Sequence, residues 1–297
     1  MTEDSKKARR EFARETARIM REEERKKRRR NRIITQVSVV LGAIAVAVIV
    51  VLMVSSSVKP PVPGPLNMAS DGILLTGDGT GEIVGVPTAG IPIDGTPTAT
   101  DPATYADTVN IVLYVDYQCP FCQLFETTNA ATLETWVSQG LATVEYHPIA
   151  ILDNASQGAK YSTRAANAAA CVANYQPDSF FEANAALFSK QPPEQTRGLT
   201  NAELASVVAE AGVTDLKVVS CINDETFTRW VSDATARTRT AVPNSSLERI
   251  ASTPTVLVNG QQYTGALDDA EAFRAFVNEI GVALSPQTEG DAGTETE

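Results

Sequence analysis

Hydrophobic and polar positions divide the chain into stretches of different kinds. Residues 37–54 are almost wholly aliphatic, broken only by Ser38 and Gly42, and the 26 residues between Arg32 and Lys59 carry no charge. At about 1.5 Å per residue, 18 helical residues span roughly 27 Å, close to the hydrocarbon core of a bilayer. The pattern predicts a single transmembrane helix. A cleaved signal peptide would have a shorter leader, a shorter apolar run and an Ala-x-Ala site after Val54, so an uncleaved anchor is expected.

Further along, residues 110–117 form a short apolar run rich in branched and aromatic side chains, suited to a buried strand. Phe125, Leu133 and Trp136 then recur at near-helical spacing up to Gly140, a helix stop, and a second strand is expected over 142–149. Strand, helix and strand of these lengths predict a parallel pair with a right-handed crossover. Residues 155–241 read as helix almost throughout, with helices over 160–175, 180–189, 201–211 and 227–240. Asn259-Gly260 between two β-rich runs, 255–258 and 261–264, signals a hairpin. A last helix is expected over 268–280, with Gly281 at its stop, before an acidic tail over 283–297 read as disordered.

Charge sharpens this division. Residues 1–32 hold 14 Lys or Arg against 7 Asp or Glu, while the rest of the chain holds 11 basic against 29 acidic residues. Glu22, Glu23 and Glu24 stand four positions before Lys26, Lys27 and Arg28, which supports a charged helix. The basic cluster reads first as a topology signal that also holds anionic lipid, with docking of a cytoplasmic partner as the other reading. Lys26 to Arg30 and Arg32 flank the amino side of the apolar run and only Lys59 the other, so residues 1–32 are expected in the cytoplasm and the remainder outside it. After the 33–57 anchor segment, Pro, Gly, Thr and Ser enrichment over 58–108 reads as a stiff spacer. Within it, 72–75 and 82–84 flank a Gly-rich turn and suit a β-hairpin. No phosphate loop or nucleic-acid patch is present in the sequence.

The four cysteines, Cys119, Cys122, Cys171 and Cys221, all fall on the side expected to be exported, where disulfides are the default. Cys119 and Cys122 follow a buried strand at the expected first turn of a helix. Unpaired N–H groups and partial positive charge at that end stabilise a thiolate at Cys119, and Cys122, one turn deeper, is placed to resolve a mixed disulfide. Pro120 fits a first helical position because its missing N–H is not needed there. Cys171 and Cys221 read as a structural disulfide tying the helical stretch together, in preference to a second redox pair. His147, the single histidine, either tunes Cys119 or is a satisfied, half-buried side chain, the reading preferred here. A zinc site on Cys119, Cys122 and His147 lacks a fourth ligand and a second Cys-x-x-Cys, so no metal is expected, and the chemistry calls for no cofactor.

The run from Asp116 to Cys122, DYQCPFC, resembles the active site of DsbA-like thioredoxin-fold disulfide oxidoreductases of the membrane-anchored actinobacterial type. The likeness extends over roughly 107–281, through Phe180-Phe181-Glu182, Leu187-Phe188-Ser189-Lys190-Gln191-Pro192 and the run from Thr253 to Gly260, TPTVLVNG. It implies an α/β class, thioredoxin-like fold over 109–282 with a helical insertion at 155–241, preceded by one transmembrane helix. It also implies a cis Thr253–Pro254 bond beside the cysteines and a Thr253 backbone that binds extended substrate by strand addition. The implied activity is oxidation of thiols on exported proteins, with a quinone-linked membrane oxidase restoring the disulfide. Two positions depart from the family pattern. Leu113 stands where many thioredoxin-fold enzymes carry a buried acid, leaving open whether Asp116 substitutes. Phe121 replaces the histidine of Cys-Pro-His-Cys pairs, so a less oxidising pair is expected. Reductase or isomerase activity uses the same residues, and an inactive binding module would not need both cysteines and the Thr-Pro.

Overall fold

The structure, a computed structural model, describes residues 3–57 and 60–284. Most of the acidic tail expected over 283–297 therefore lies outside the described residues. The chain forms two compact units, residues 1–60 and 61–297.

In the first unit, α1 (Glu3–Ser57) is one continuous helix of 55 residues, so its basic and aliphatic parts share one axis of roughly 80 Å. Its stretch Phe12–Ile49 is long and apolar enough to cross a membrane and none of it is buried against protein. The Glu24–Arg28 pair closes at 3.7 Å, one helical turn apart.

The second unit is built on one six-stranded sheet. Its strands are β1 (Ile73–Gly77), β2 (Ile83–Gly85), β3 (Val109–Val115), β4 (Ala142–Pro148), β5 (Thr255–Val258) and β6 (Gln261–Gln262), in the order β2-β1-β4-β3-β5-β6. Only β3 and β4 run parallel, joined by α2 (Pro120–Ser138), as the strand, helix and strand spacing predicts. Between β4 and β5 lie α3 (Tyr161–Tyr175), α4 (Phe180–Ser189), α5 (Asn201–Glu210), α6 (Leu216–Asn223) and α7 (Thr228–Arg237), and α8 (Ala270–Leu284) closes the fold. Alternation along β3 sends Ile111, Leu113 and Val115 into the main core with Val144, Tyr146, Val256 and Val258. Tyr114 and Leu257 point to the opposite face, into a smaller cluster with Ile149, Val242 and Ile250.

Three expectations need correction. The stretch read as a spacer is largely part of the fold: β1 pairs antiparallel with β4 as well as with β2, so the expected hairpin extends the main sheet. Ahead of β1, the Asp71 carboxylate accepts from Arg237 Nε at 2.6 Å and Nη2 at 2.7 Å and from Trp230 Nε1 at 3.1 Å. Pro and Gly enrichment marked irregular backbone there, but side-chain contacts fix it. Second, α8 runs past Gly281 to Leu284; a Cβ at Gly281 would lie 3.2 Å from Val109, so this glycine serves close packing instead of a helix stop. Third, the second hairpin strand is only Gln261–Gln262.

The insertion is cross-tied by a Cys171–Cys221 disulfide between α3 and α6. Closing a loop with a sequence separation of 50 removes about 4 kcal/mol of unfolded-state entropy in the chain-entropy model.

Candidate active site

The end of β3 turns directly into α2, and Cys119 occupies the cap position with extended backbone while Pro120 begins the helix. The turn is held by backbone bonds: Cys119 N–H donates to Asp116 O at 3.0 Å, and the Cys119 carbonyl accepts from Cys122 N–H at 3.0 Å and Gln123 N–H at 3.2 Å. Both thiols are free. Cys119 is 4% exposed and Cys122 fully buried, whereas Phe121 is 60% exposed and Leu124 38%. The sulfurs therefore sit just under the surface, with an apolar rim beside the outer one.

The loop before β5 meets this turn. Thr253–Pro254 is cis, and the Thr253 carbonyl accepts the Cys119 thiol at 3.2 Å. Thus residues 134 positions apart in sequence are brought together. Cys119 is lowered from the ordinary thiol range to about 6. The hydrogen bond from the Cys122 thiol is the leading cause, opposed by burial and reinforced by the Thr253 side chain and by the backbone N–H groups of Cys122 and Phe121. Cys122 is pushed the other way, well above the ordinary range, chiefly by burial and then by Cys119. Its sulfur accepts one backbone N–H, from Asp116, at 3.5 Å.

The helical insertion fastens the active turn from behind. Gln191 Nε2 donates to Tyr117 O at 2.9 Å, Gln123 Nε2 to Phe188 O at 2.8 Å and Gln118 Nε2 to Ala155 O at 3.2 Å. Tyr117 itself donates to Asn184 Oδ1 at 2.8 Å and packs on Phe188. None of these polar partners was singled out for a role from sequence. Glu126 escaped too, although a detectable signal existed: it falls in the mainly apolar stripe of α2 that buries Cys122, Phe125, Asn129, Leu133 and Val137.

The structure does not bring His147 to the cysteines. His147 is buried on the opposite face of the sheet, stacked on Tyr114 at 4.5 Å between ring centroids, with Nε2 3.2 Å from Glu145 Oε1. Asp116 lies at the site, but its carboxylate is engaged elsewhere, accepting from Gln118 N–H and Leu152 N–H, each at 2.9 Å. Burial raises this carboxyl to about 6, against these bonds and one from Ser162. Such an arrangement, an ionisable outer thiol over a buried second thiol at a helix start, is suited to exchange with an external thiol or disulfide.

A family model described as thioredoxin matches residues 105–279. Among solved structures, the chain is 31% identical to oxidised DsbA from Mycobacterium tuberculosis, covering 71% of this chain and 92% of that one, with a TM-score of 0.53. It is 35% identical to the reduced disulfide bond oxidoreductase DsbG of the same organism, covering 58% of this chain and 77% of that one, with a TM-score of 0.50. BdbD from Bacillus subtilis shares the fold, at 18% identity over 75% of this chain and all of the other, with a TM-score of 0.51. Serine/threonine-protein kinase PknE of M. tuberculosis is 35% identical over 108 residues, 35% of this chain and 19% of the kinase, so the match spans about a fifth of that curated relative. With its Cys pair at the start of α2 and with most of DsbA's length aligned, the chain belongs to the thioredoxin family, among its DsbA-like thiol-disulfide oxidoreductases.

Proposed function

We propose that this chain is a membrane-anchored, extracytoplasmic oxidase that passes a Cys119–Cys122 disulfide to thiols of exported proteins. The observation that carries this reading is the placement of the pair: Cys119 caps α2 just under the surface beside the cis Thr253–Pro254 bond, over a fully buried Cys122, so that Cys119 is lowered to about 6 and Cys122 raised. A substrate thiolate attacks Cys119 Sγ, forming a mixed disulfide and expelling Cys122. A second substrate thiolate then attacks the substrate sulfur and expels Cys119, which leaves readily because its thiolate is stabilised. Stabilising the reduced form in this way favours oxidation of the substrate. Phe121 contributes only its backbone N–H to the thiolate, which supports a pair less oxidising than one with histidine at that position.

The exposed Phe121 and Leu124 offer an apolar rim for an unfolded chain, and Thr253 and Pro254 would align it beside Cys119. The Cys171–Cys221 disulfide supports an oxidising compartment. α1 supports a single-pass anchor, oriented by the basic residues on its amino side. Anchoring keeps the chain in the membrane that would hold the quinone-linked oxidase proposed to restore its disulfide.

The test is to equilibrate the detergent-solubilised full chain with glutathione buffers and to assay oxidation of a reduced, unfolded protein. Wild type is expected to oxidise it, and Cys119→Ser to lose the activity by a factor of about 10³ or more. A reduction potential far below that of glutathione would sink the oxidase direction. Undiminished transfer by Cys119→Ser would sink the site itself.

A further inference from the structure

The far face of the sheet carries a cavity that thiol exchange does not use. Its floor is one row across four strands: Leu74 of β1 pairs with Glu145 of β4, Glu145 with Val112 of β3, and Val112 with Leu257 of β5. Cross-strand partners share a face, and this is the face of Tyr114 and His147, away from the cysteines. The turn Pro102–Tyr105 and the segment around Pro243 wall the row in, with exposed Pro102, Ala103, Ala106 and Pro243 at the mouth. The space is about 410 Å³, against roughly 150 Å³ for a cavity that holds one benzene ring. One ring with a short chain fits, and floor and mouth are mainly apolar, as in small-molecule sites.

The polar groups around this space decide which chemistry it takes. Thr143 Oγ1 donates to Asn110 Oδ1 at 3.0 Å, Asn110 Nδ2 is turned to the carbonyls of Tyr105 and Thr108, and Asn244 Nδ2 donates to Thr100 O at 2.7 Å. Asn259 Nδ2 has no partner, but it is sealed from solvent and so is not presented to the cavity. The side-chain donors of the lining are therefore spent on neighbouring acceptors. What remains is negative charge. Among the described residues lining the cavity, Glu145 alone is charged, and a carboxylate has about four acceptor positions. Burial opposes its ionisation, but His147, Ser70 and Thr100 donate to it and hold it below the usual carboxylate range. Three donors leave one position open to a ligand that brings its own N–H.

We propose that this cavity is a binding site for a small organic ammonium, a primary amine carried on an aryl or short alkyl body. The apolar body lies on Leu74, Val112 and Leu257, and the ammonium donates to the open position on Glu145. No cation among the described residues lines the cavity to receive an anion, and a ligand without a donor would leave the carboxylate's open position unfilled. The inference rests on the far face alone and holds whichever direction the cysteine pair works in.

The test titrates the full chain calorimetrically, in a non-ionic detergent at about pH 7.5, where an alkylamine is charged. Three compounds of one shape are compared, each against a detergent blank. Phenethylammonium is expected to bind in about the millimolar range or tighter, phenethyl alcohol about tenfold more weakly, and hydrocinnamate not at all. Ala106→Trp, at the exposed mouth, should close the site and lose the ammonium while keeping the wild-type melting temperature. Glu145→Gln should bind the ammonium and the alcohol equally, and Phe121→Ala, on the active face, should bind as wild type does. No heat from the ammonium beyond the blank would overturn the proposal, as would equal binding of hydrocinnamate, unaltered binding in Ala106→Trp or a preference for the ammonium that survives Glu145→Gln. Loss of binding in Phe121→Ala would place the ligand at the active face and overturn it too. Should Glu145→Gln not fold, the three compounds on wild type and Ala106→Trp decide.

Discussion

The two faces of the sheet each bury a glutamate, and the fold treats them in opposite ways. On the active face, Glu126 is left with one oxygen unpartnered and is raised to about 8 by burial. On the far face, Glu145 is equally hidden, but it accepts from Ser70 and faces His147 Nε2. There burial opposes ionisation, yet the charge and hydrogen bonds of His147, with Ser70 and Thr100, outweigh it and hold the carboxyl below its usual range. A buried carboxyl faced by a ring nitrogen and hydroxyl donors holds its charge, whereas one with an unpartnered oxygen holds its proton.

The largest effect should come from opening the closed side. His147→Leu leaves Glu145 buried with part of its hydrogen bonding and no opposing ring, at a cost of about 3 kcal/mol in unfolding free energy. The sign with pH follows from the lowered Glu145. Its stabilising contribution is present above the unfolded value near 4.5 and is lost as pH falls through the lower folded value, so the gap between wild type and variant should shrink in acid. Denaturation curves measured across acid pH check this, and the pH profile of Cys119 alkylation should not move. A shifted profile would show that the two faces are coupled. Gly72→Ala attacks the same region with less force. Its Cβ would lie 2.6 Å from His147 Nε2 in a closely packed stack, so a loss of about 1–3 kcal/mol is expected in the same denaturation assay.

Glu126→Gln should act on stability with the opposite dependence on pH. The folded value, about 8, lies above the unfolded 4.5, so wild type loses stability as pH rises between them. The neutral amide of the variant carries no such penalty. The difference in melting temperature, variant minus wild type, should therefore grow from about pH 5 to about pH 8. A difference constant over that window would mean that Glu126 is not protonated in the native state.

How legible these faces were in the sequence depends on the range of the interactions. The β3, α2 and β4 succession and the Cys motif rest on local spacing, and the structure places each near its expected bounds, while the Asn-Gly turn is where it is expected but its second strand is shorter. Irregular backbone carries no such periodic signal. The 61–72 segment reads as spacer because its order comes from Asn174, Trp230 and Arg237, more than 100 positions away. His147 was ambiguous for a similar reason: its position in β4 is local, but which face it joins depends on the register of β3 with β4. Glu126 was locally legible, as a carboxylate in a mainly apolar stripe. Its missing donor was not, because only the packing of α4 and β4 against α2 shows which oxygen stays unpaired.

The smallest effect should come from Phe121, although it stands between the cysteines. Its ring is mostly in solvent, so Phe121→Ala should change unfolding free energy by less than about 0.5 kcal/mol. Cys119 should still titrate near 6, because the donors acting on its sulfur are Cys122, the Thr253 side chain and backbone N–H groups, none of which the substitution removes. Phe121→His tests the same point from the other side. An imidazolium beside the sulfur adds an attraction that the present site lacks, so Cys119 should move below its present value. The pH dependence of alkylation reads both variants. If alanine raised the midpoint substantially, the side chain at 121 would be contributing to the thiolate, and backbone stabilisation would no longer account for the difference between Cys119 and Cys122.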